Sequence, residues 1–267
     1  MKDSQSDPIL LTERQGNITR LIMNSPANLN ALSNTMLKAL QENLDAIAEN
    51  KAIKVVVLSG LGKAFCAGHN LKEMMKTKNN SDGGKADLKD LFDRCTQLML
   101  AIRDMPQPVI AQVHGLAAAA GCQLVASCDL ATASENAVFG VNGVNIGLFC
   151  STPMVALTRN IPRKLAFEML TTGDFISATK ALEFGLINRV SFEKKLTAET
   201  LKFAEKIAAK PSAAVRIGKK AFYKQLEMPA SEAYDYTGKV MVENMAFPDT
   251  QEGISAFLEK RSPNWEQ

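Results

Sequence analysis

The stretch Val109-Ile-Ala-Gln-Val-His-Gly-Leu-Ala-Ala-Ala-Ala-Gly-Cys-Gln-Leu-Val-Ala-Ser-Cys-Asp129 is the one around which the chain is organised. A β-branched run ends at His114-Gly115, small residues follow, and apolar positions resume at helical spacing through Leu124, Val125 and Cys128. The pattern predicts a strand, a tight turn and a buried helix. Small side chains from Ala117 to Gly121 leave the first turn of that helix open, where unpaired backbone N–H groups meet the positive end of the helix dipole. Such a turn suits an anion or an oxyanion. The same small residues also suit close packing of helix on strand, so this stretch alone leaves two readings open.

The flanking sequence sets this unit in an alternating α/β pattern. Ile9–Arg14 and Ile18–Met23 are short β-like runs around Gln15-Gly16-Asn17, which predicts a hairpin. After a turn-rich loop, Ser33 caps a helix with Met36, Leu37, Leu40, Leu44 and Ile47 on one face. Val55–Leu58 is continuously apolar, as in a strand buried on both sides. Lys63–Met75 reads as a small-residue loop running into a short helix, and Thr77–Lys85 as a polar connection. Leu88–Arg103 has helical spacing, and Pro106 and Pro108 end it before the central strand.

Beyond Asp129, a strand continues to Ala133, and Val138-Phe-Gly opens a second glycine-punctuated segment through Pro153 that suits the opposite wall of a pocket. From Met154 the pattern is mostly helical, over Arg163–Thr171, Ala178–Phe184, Leu196–Ala209, Ala213–Leu226, Ser231–Ala246 and Gly253–Lys260. Leu186–Val190 is the one strand-like break.

Composition narrows the partners. At 267 residues and 46% hydrophobic, the chain can bury a large core, as one long α/β domain or a domain with a helical appendage. Its 31 basic and 28 acidic residues are scattered, so no basic stripe tracks a nucleic acid. The five cysteines sit in apolar settings without a Cys-x-x-Cys pair, which points to reduced thiols and a cytoplasmic location. An organellar protein without its targeting segment is the alternative. The only histidines, His69 and His114, lack partners at ligand spacing, so no metal site is expected. Met1–Pro8 is polar and no apolar run suits a membrane span.

Five motifs carry a family resemblance: Asn28-Leu-Asn-Ala-Leu, Ala64-Phe-Cys-Ala-Gly-His-Asn-Leu-Lys-Glu-Met, His114-Gly-Leu-Ala-Ala-Ala-Ala-Gly-Cys-Gln-Leu-Val-Ala-Ser-Cys-Asp-Leu, Phe139-Gly-Val-Asn-Gly-Val-Asn-Ile-Gly and Glu252-Gly-Ile-Ser-Ala-Phe-Leu-Glu-Lys-Arg. In this order, from about Ile9 to Arg261, the sequence resembles the crotonase superfamily, the enoyl-CoA hydratase/isomerase family. The resemblance implies an α/β fold, a crotonase-like spiral of ββα units with a helical C-terminal trimerisation region. Residues 1–195 would form the core with an acyl-CoA pocket, and residues 196–267 the oligomerisation region of a homotrimer or dimer of trimers.

The implied ligand is an acyl-CoA thioester, with no further cofactor. Its carbonyl oxygen would sit between the backbone N–H groups of His69 and Ala120. Ala27, Asn28 and Leu29, with Ala67, Gly68, Asn70 and Leu71, would line the coenzyme path, and Leu116 and Gly143 would join the substrate-binding set. Phe257 and Lys260 match C-terminal residues that reach the coenzyme, often from a neighbouring subunit.

The chain departs from the family where hydration needs it most. The two glutamates that handle water and the α-carbon proton fall on Gln123 and Gly143. Gln123 can hold a water but cannot take a proton at neutral pH, and Gly143 offers only backbone. Asn142, Asn145, Cys150 and Ser151 are the polar groups of the facing wall, and no spacing pairs Cys150 or Ser151 with a base. The His69 position acts in the family through its N–H, with an acid/base role for its imidazole as the alternative. His114 and Asp129 read as structural, and Glu135 as a solvated turn residue. The expected function is therefore an acyl-CoA-binding hydratase/isomerase-type protein with weak or altered hydratase chemistry. A non-catalytic acyl-CoA binder or modulator of fatty-acid metabolism is the alternative.

Overall fold

The computed structural model describes residues 7–265. Leu10–Gln15 (β1) and Ile18–Met23 (β2) form the expected antiparallel hairpin, turning at Gly16 with φ +57°. The Ser33 hydroxyl accepts from the Met36 N–H and starts Asn34–Glu49 (α1), which buries the five apolar residues that its periodicity marked. Each such side chain contributes about 1.5–3 kcal/mol relative to exposure.

From there the chain lays down strands in pairs, one in each of two sheets. Val55–Gly60 (β3) is followed by Ala64–Cys66 (β4), then by Leu71–Lys76 (α2) and Lys85–Asp104 (α3). Val109–Val113 (β5) is followed by Leu116–Ala118 (β6) and Ala120–Ser127 (α4). Leu130–Ser134 (β7) is followed by Val138–Gly140 (β8), Pro153–Leu157 (α5) and Arg163–Thr172 (α6). Ile176–Ser177 (β9), Ala178–Glu183 (α7) and Arg189–Ser191 (β10) close the sheets.

The six-stranded sheet runs β1-β2-β3-β5-β7-β10, parallel beyond the hairpin; the four-stranded sheet runs β4-β6-β8-β9. This is the spiral of ββα units. Val56 and Leu58 of β3 face the main core, while Val55 and Val57 face a second cluster closed by Ala204. That second cover is Leu196–Ala208 (α8), which packs on β3, β5 and β7. Ser212–Gln225 (α9), Ala230–Met245 (α10) and Pro248–Leu258 (α11) follow, and α10 buries none of its residues.

The small sheet corrects the sequence reading. Ala64–Cys66 and Leu116–Ala118 are strands rather than loop and helix, so only Ala120 and Gly121 of the small-residue run belong to α4. Strands of three residues are too short for a period of two to register. The two readings of that run both hold, at different residues. A Cβ on Gly121 would stand 2.1 Å from the Cys66 carbonyl oxygen, so this glycine serves close packing of α4 on β4. Ala119 and Ala120 instead face a cavity.

Candidate active site

Three loops meet over the first turn of α4. Asn30 is fully buried at φ +52°. Its Nδ2 donates to the Leu61 and Ala64 carbonyls, both at 2.8 Å, and its Oδ1 accepts from Ser25 N–H at 2.9 Å. It thereby fixes the 26–29 turn beside β4. The next loop is tied to this one: Ala67 N–H donates to Leu29 O at 3.0 Å and Leu32 N–H to Gly68 O at 2.7 Å. Asn70 then caps α2 by accepting from the N–H groups of Lys72 and Glu73, and its Nδ2 donates to Glu73 Oε1 at 3.1 Å.

Gly68, at φ +95°, brings this loop onto α4. A Cβ there would lie 3.1 Å from Ala118 O and 3.3 Å from Ala120 N. On the other side, Ala119 holds φ +48° and ψ −116°, unusual for a residue with a side chain. Conformations of this kind cost about 1–3 kcal/mol and persist only where the surroundings enforce them. Here Ala119 N–H donates to Gly140 O at 2.8 Å and its carbonyl accepts from Gln123 N–H at 3.0 Å, while Ala120 opens α4, where an N–H has no intrahelical acceptor. Among the described residues, neither the His69 nor the Ala120 backbone N–H has an acceptor.

His69 and Ala120 line one cavity of about 610 Å³. Of the expected residues, Ala27, Asn28, Leu29, Ala67, Asn70, Leu71 and Gly143 also line it; Gly68, Leu116, Gln123, Phe257 and Lys260 do not. Gln123 is 5% exposed, behind the wall, and its Oε1 is buried without a partner. Phe257, 82% exposed on α11, stands away from its own chain's cavity.

The facing wall is Asn142–Pro153. Its Asn142, Cys150 and Ser151 reach the cavity as expected, but Asn145 turns away, its Nδ2 donating to Gly173 O at 3.4 Å. Gly143 is glycine for a steric reason: a Cβ there would meet Leu148 O at 2.2 Å and Cys150 Sγ at 2.8 Å. Sequence reasoning missed Phe92, Met74, Lys72, Ile146, Leu148 and Phe149. Phe92 lies one position past the buried Leu91, and nothing in its helical spacing separates a cavity-lining residue from a core one.

Among the described residues no aspartate or glutamate side chain lines the cavity. The His69 imidazole packs edge-on against Phe92, centroids 5.5 Å apart, and both ring nitrogens are enclosed without a partner. Burial holds it below its ordinary value, so the ring is neutral at neutral pH. Lys72 is exposed at the cavity edge. Burial likewise pushes the Cys150 thiol up, with the Gly143 backbone opposing. His114 Nε2 lies 3.1 Å from Gly62 O, and the residue does not line the cavity. Among the described residues no group of His, Cys, Asp or Glu could hold a metal ion, and no helix is long and apolar enough to cross a membrane.

The enoyl-CoA hydratase/isomerase family model matches residues 13–267. Human enoyl-CoA hydratase domain-containing protein 3, mitochondrial, is 47% identical over 262 residues, covering 98% of this chain and 85% of that protein. The 2,3-dehydroadipyl-CoA hydratase of Escherichia coli (strain K12) is 33% identical over 258 residues, 96% and 98% of the two chains. Among solved structures, the enoyl-CoA hydratase of Mycobacterium smegmatis has TM-score 0.93 at 51% identity, covering 98% of this chain and all of that one.

Proposed function

The chain belongs to the enoyl-CoA hydratase/isomerase family, and we propose that its cavity takes the acyl end of a coenzyme A thioester, with the carbonyl oxygen between the His69 and Ala120 amides. One observation carries this reading: two backbone N–H groups on one cavity, held in place by the loops around them and left without acceptors. An unpaired donor in a partly desolvated site costs free energy that a ligand oxygen recovers. Two such donors also stabilise negative charge that develops on a thioester oxygen when an enolate forms.

The chemistry on that polarised thioester differs from two-carboxylate hydration. Among the described residues no carboxylate lines the cavity, the Gln123 amide does not titrate, and a glutamate at position 143 would collide with Leu148 O. Oxyanion stabilisation without a strong base suits reactions such as decarboxylation or slow thioester hydrolysis. The absence of a carboxylate equally favours a second reading, a non-catalytic acyl-CoA binder or modulator of fatty-acid metabolism.

The coenzyme would run along Ala27–Leu29 and Ala67–Leu71, whose backbones are tied together at the cavity edge. Phe257 and Lys260 would then serve a neighbouring chain's ligand in a homotrimer or dimer of trimers. The unburied α10 and the exposed Phe257 and Leu258 support that assembly. Five buried free cysteines and the mitochondrial names of the animal relatives support work inside a reducing compartment, cytoplasmic or organellar.

Titration calorimetry with butyryl-CoA, which is saturated and cannot be hydrated, tests the reading. Saturable binding is expected, with crotonyl-CoA hydration near background. Absence of binding would overturn the proposal, and fast hydration would overturn the altered chemistry and make the His69 imidazole the first group to remove.

A further inference from the structure

We propose that Glu73 is a positioning residue for the His69 amide, an inference that rests on the two-amide reading of the cavity. The Gly68 carbonyl and the His69 N–H belong to one peptide unit, and a planar trans peptide aims them in opposite directions. Gly68 O accepts from Leu32 N–H at 2.7 Å, and Leu32 is fully buried. Whatever holds Leu32 against Gly68 therefore sets the direction of the His69 N–H.

Glu73 supplies a second tie between the same two segments. It sits in the first turn of α2, three residues past the Asn70 cap. A glutamate at that place commonly reaches back to the backbone N–H of its own cap. Here the carboxylate spans two helices: Oε2 accepts from the N–H of Asn34, the first residue of α1, at 3.0 Å, and Oε1 accepts from Asn70 Nδ2 at 3.1 Å. Asn70 Oδ1 is committed to the N–H groups of Lys72 and Glu73, so its amide meets Glu73 through the nitrogen.

The bonds Leu32 to Gly68 and Asn34 to Glu73 thus form two rungs that close segment 32–34 against loop 68–73. They flank His69, since Gly68 precedes it and Asn70, the other partner of Glu73, follows it. A single bond leaves such a loop free to pivot, and a second rung removes that freedom. The work needs a side chain that accepts from two donors at once, which a carboxylate does and an amide with one oxygen and an NH2 does not.

The test reads the carbonyl band of crotonyl-CoA bound to the full-length protein by infrared difference spectroscopy, beside butyryl-CoA affinity and Tm. Glu73→Gln sets an NH2 against one of the two donors. Asn34→Pro removes the N–H that Glu73 accepts, together with the exposed Arg94 contact to the Asn34 side chain, at a helix start that suits proline because Ser33 already has ψ 165°. Both variants should show a smaller carbonyl downshift than the unaltered protein, with affinity about three- to tenfold weaker, up to one net hydrogen bond. Asn70→Asp combined with Glu73→Gln reverses the direction of their bond and should restore the band. A merely structural role would lower Tm and leave the band of the folded protein in place. That result, or a double variant that keeps the Glu73→Gln spectrum, would overturn the inference while the two-amide reading stands. A band at its position in water in the unaltered protein, or no butyryl-CoA binding, would overturn both.

Discussion

The two ends of α4 treat polar groups in opposite ways. Just past its C-terminus, Asp129 is fully engaged: Oδ2 accepts from Val109 N–H at 2.6 Å and Lys219 Nζ at 2.7 Å, and Oδ1 accepts from Tyr223 O–H at 2.8 Å. Lys219 spends its remaining donors on the carbonyls of Ile102 and Gln107. Burial keeps the Tyr223 phenol well above its ordinary value, so it remains a donor. At the N-terminus, by contrast, the Ala120 and His69 amides, the His69 ring nitrogens and Gln123 Oε1 all lack partners among the described residues. A closed polar network ties α9 to the core, whereas the opposite end leaves donors unpaired on the cavity. One short helix thus carries a structural network at one end and the proposed thioester site at the other.

The comparison predicts separable losses. Lys219→Ala leaves the Asp129 carboxylate buried without its counter-ion, and removal of one member of a buried pair destabilises by about 3–5 kcal/mol. Urea denaturation should read that loss, with butyryl-CoA affinity of the folded fraction unchanged. A loss below about 1 kcal/mol, the scale of an exposed pair, would mean the network is not closed.

Gly143→Ala is the next largest, because its Cβ would enter 2.2 Å from Leu148 O and must displace the facing wall. Overpacking of this kind costs about 1–3 kcal/mol, read as a lowered Tm together with weaker butyryl-CoA binding.

Replacing residue 120 with lactic acid removes the N–H, which has no internal acceptor, and weakens the residue-119 carbonyl, which accepts from Gln123 N–H. Denaturation should read a loss of up to about 1 kcal/mol from the weakened carbonyl, while thioester affinity of the folded protein falls about tenfold, the equivalent of one net hydrogen bond of about 1.4 kcal/mol.

The smallest effect is on acid stability. Burial lowers the His69 pKa below its ordinary 6.5, so the unfolded chain binds the proton more readily and stability falls as pH drops through and below that value. His69→Gln, which keeps the backbone amide, should flatten that acid limb in denaturation curves taken from pH 7 to pH 5.

Much of this architecture was legible because it is written in repeating patterns. The apolar face of α1, the doubly buried β3 and the start of α8 each followed from periodicity, and Ser33 announced its cap. The site was legible in part. The family resemblance pointed to His69 and Ala120, but periodicity does not reveal which amides lack acceptors, nor the unusual Ala119 backbone beside them. The glycine at 143 was visible in the sequence, whereas the Leu148 carbonyl that crowds it comes from a loop that folds back over it. Phe92 comes from a helix whose cavity-facing residue borders its core stripe, and Asn145 is drawn away by Gly173, a contact 28 residues distant.

The central claim is that the two unpaired amides grip a thioester oxygen, and the carbonyl stretch of bound crotonyl-CoA measures this directly. Infrared difference spectra of the complex should show that band at lower wavenumber than for crotonyl-CoA in water, with the shift reduced in the residue-120 ester. A bound ligand whose carbonyl band matches its position in water, in both proteins, would contradict the account.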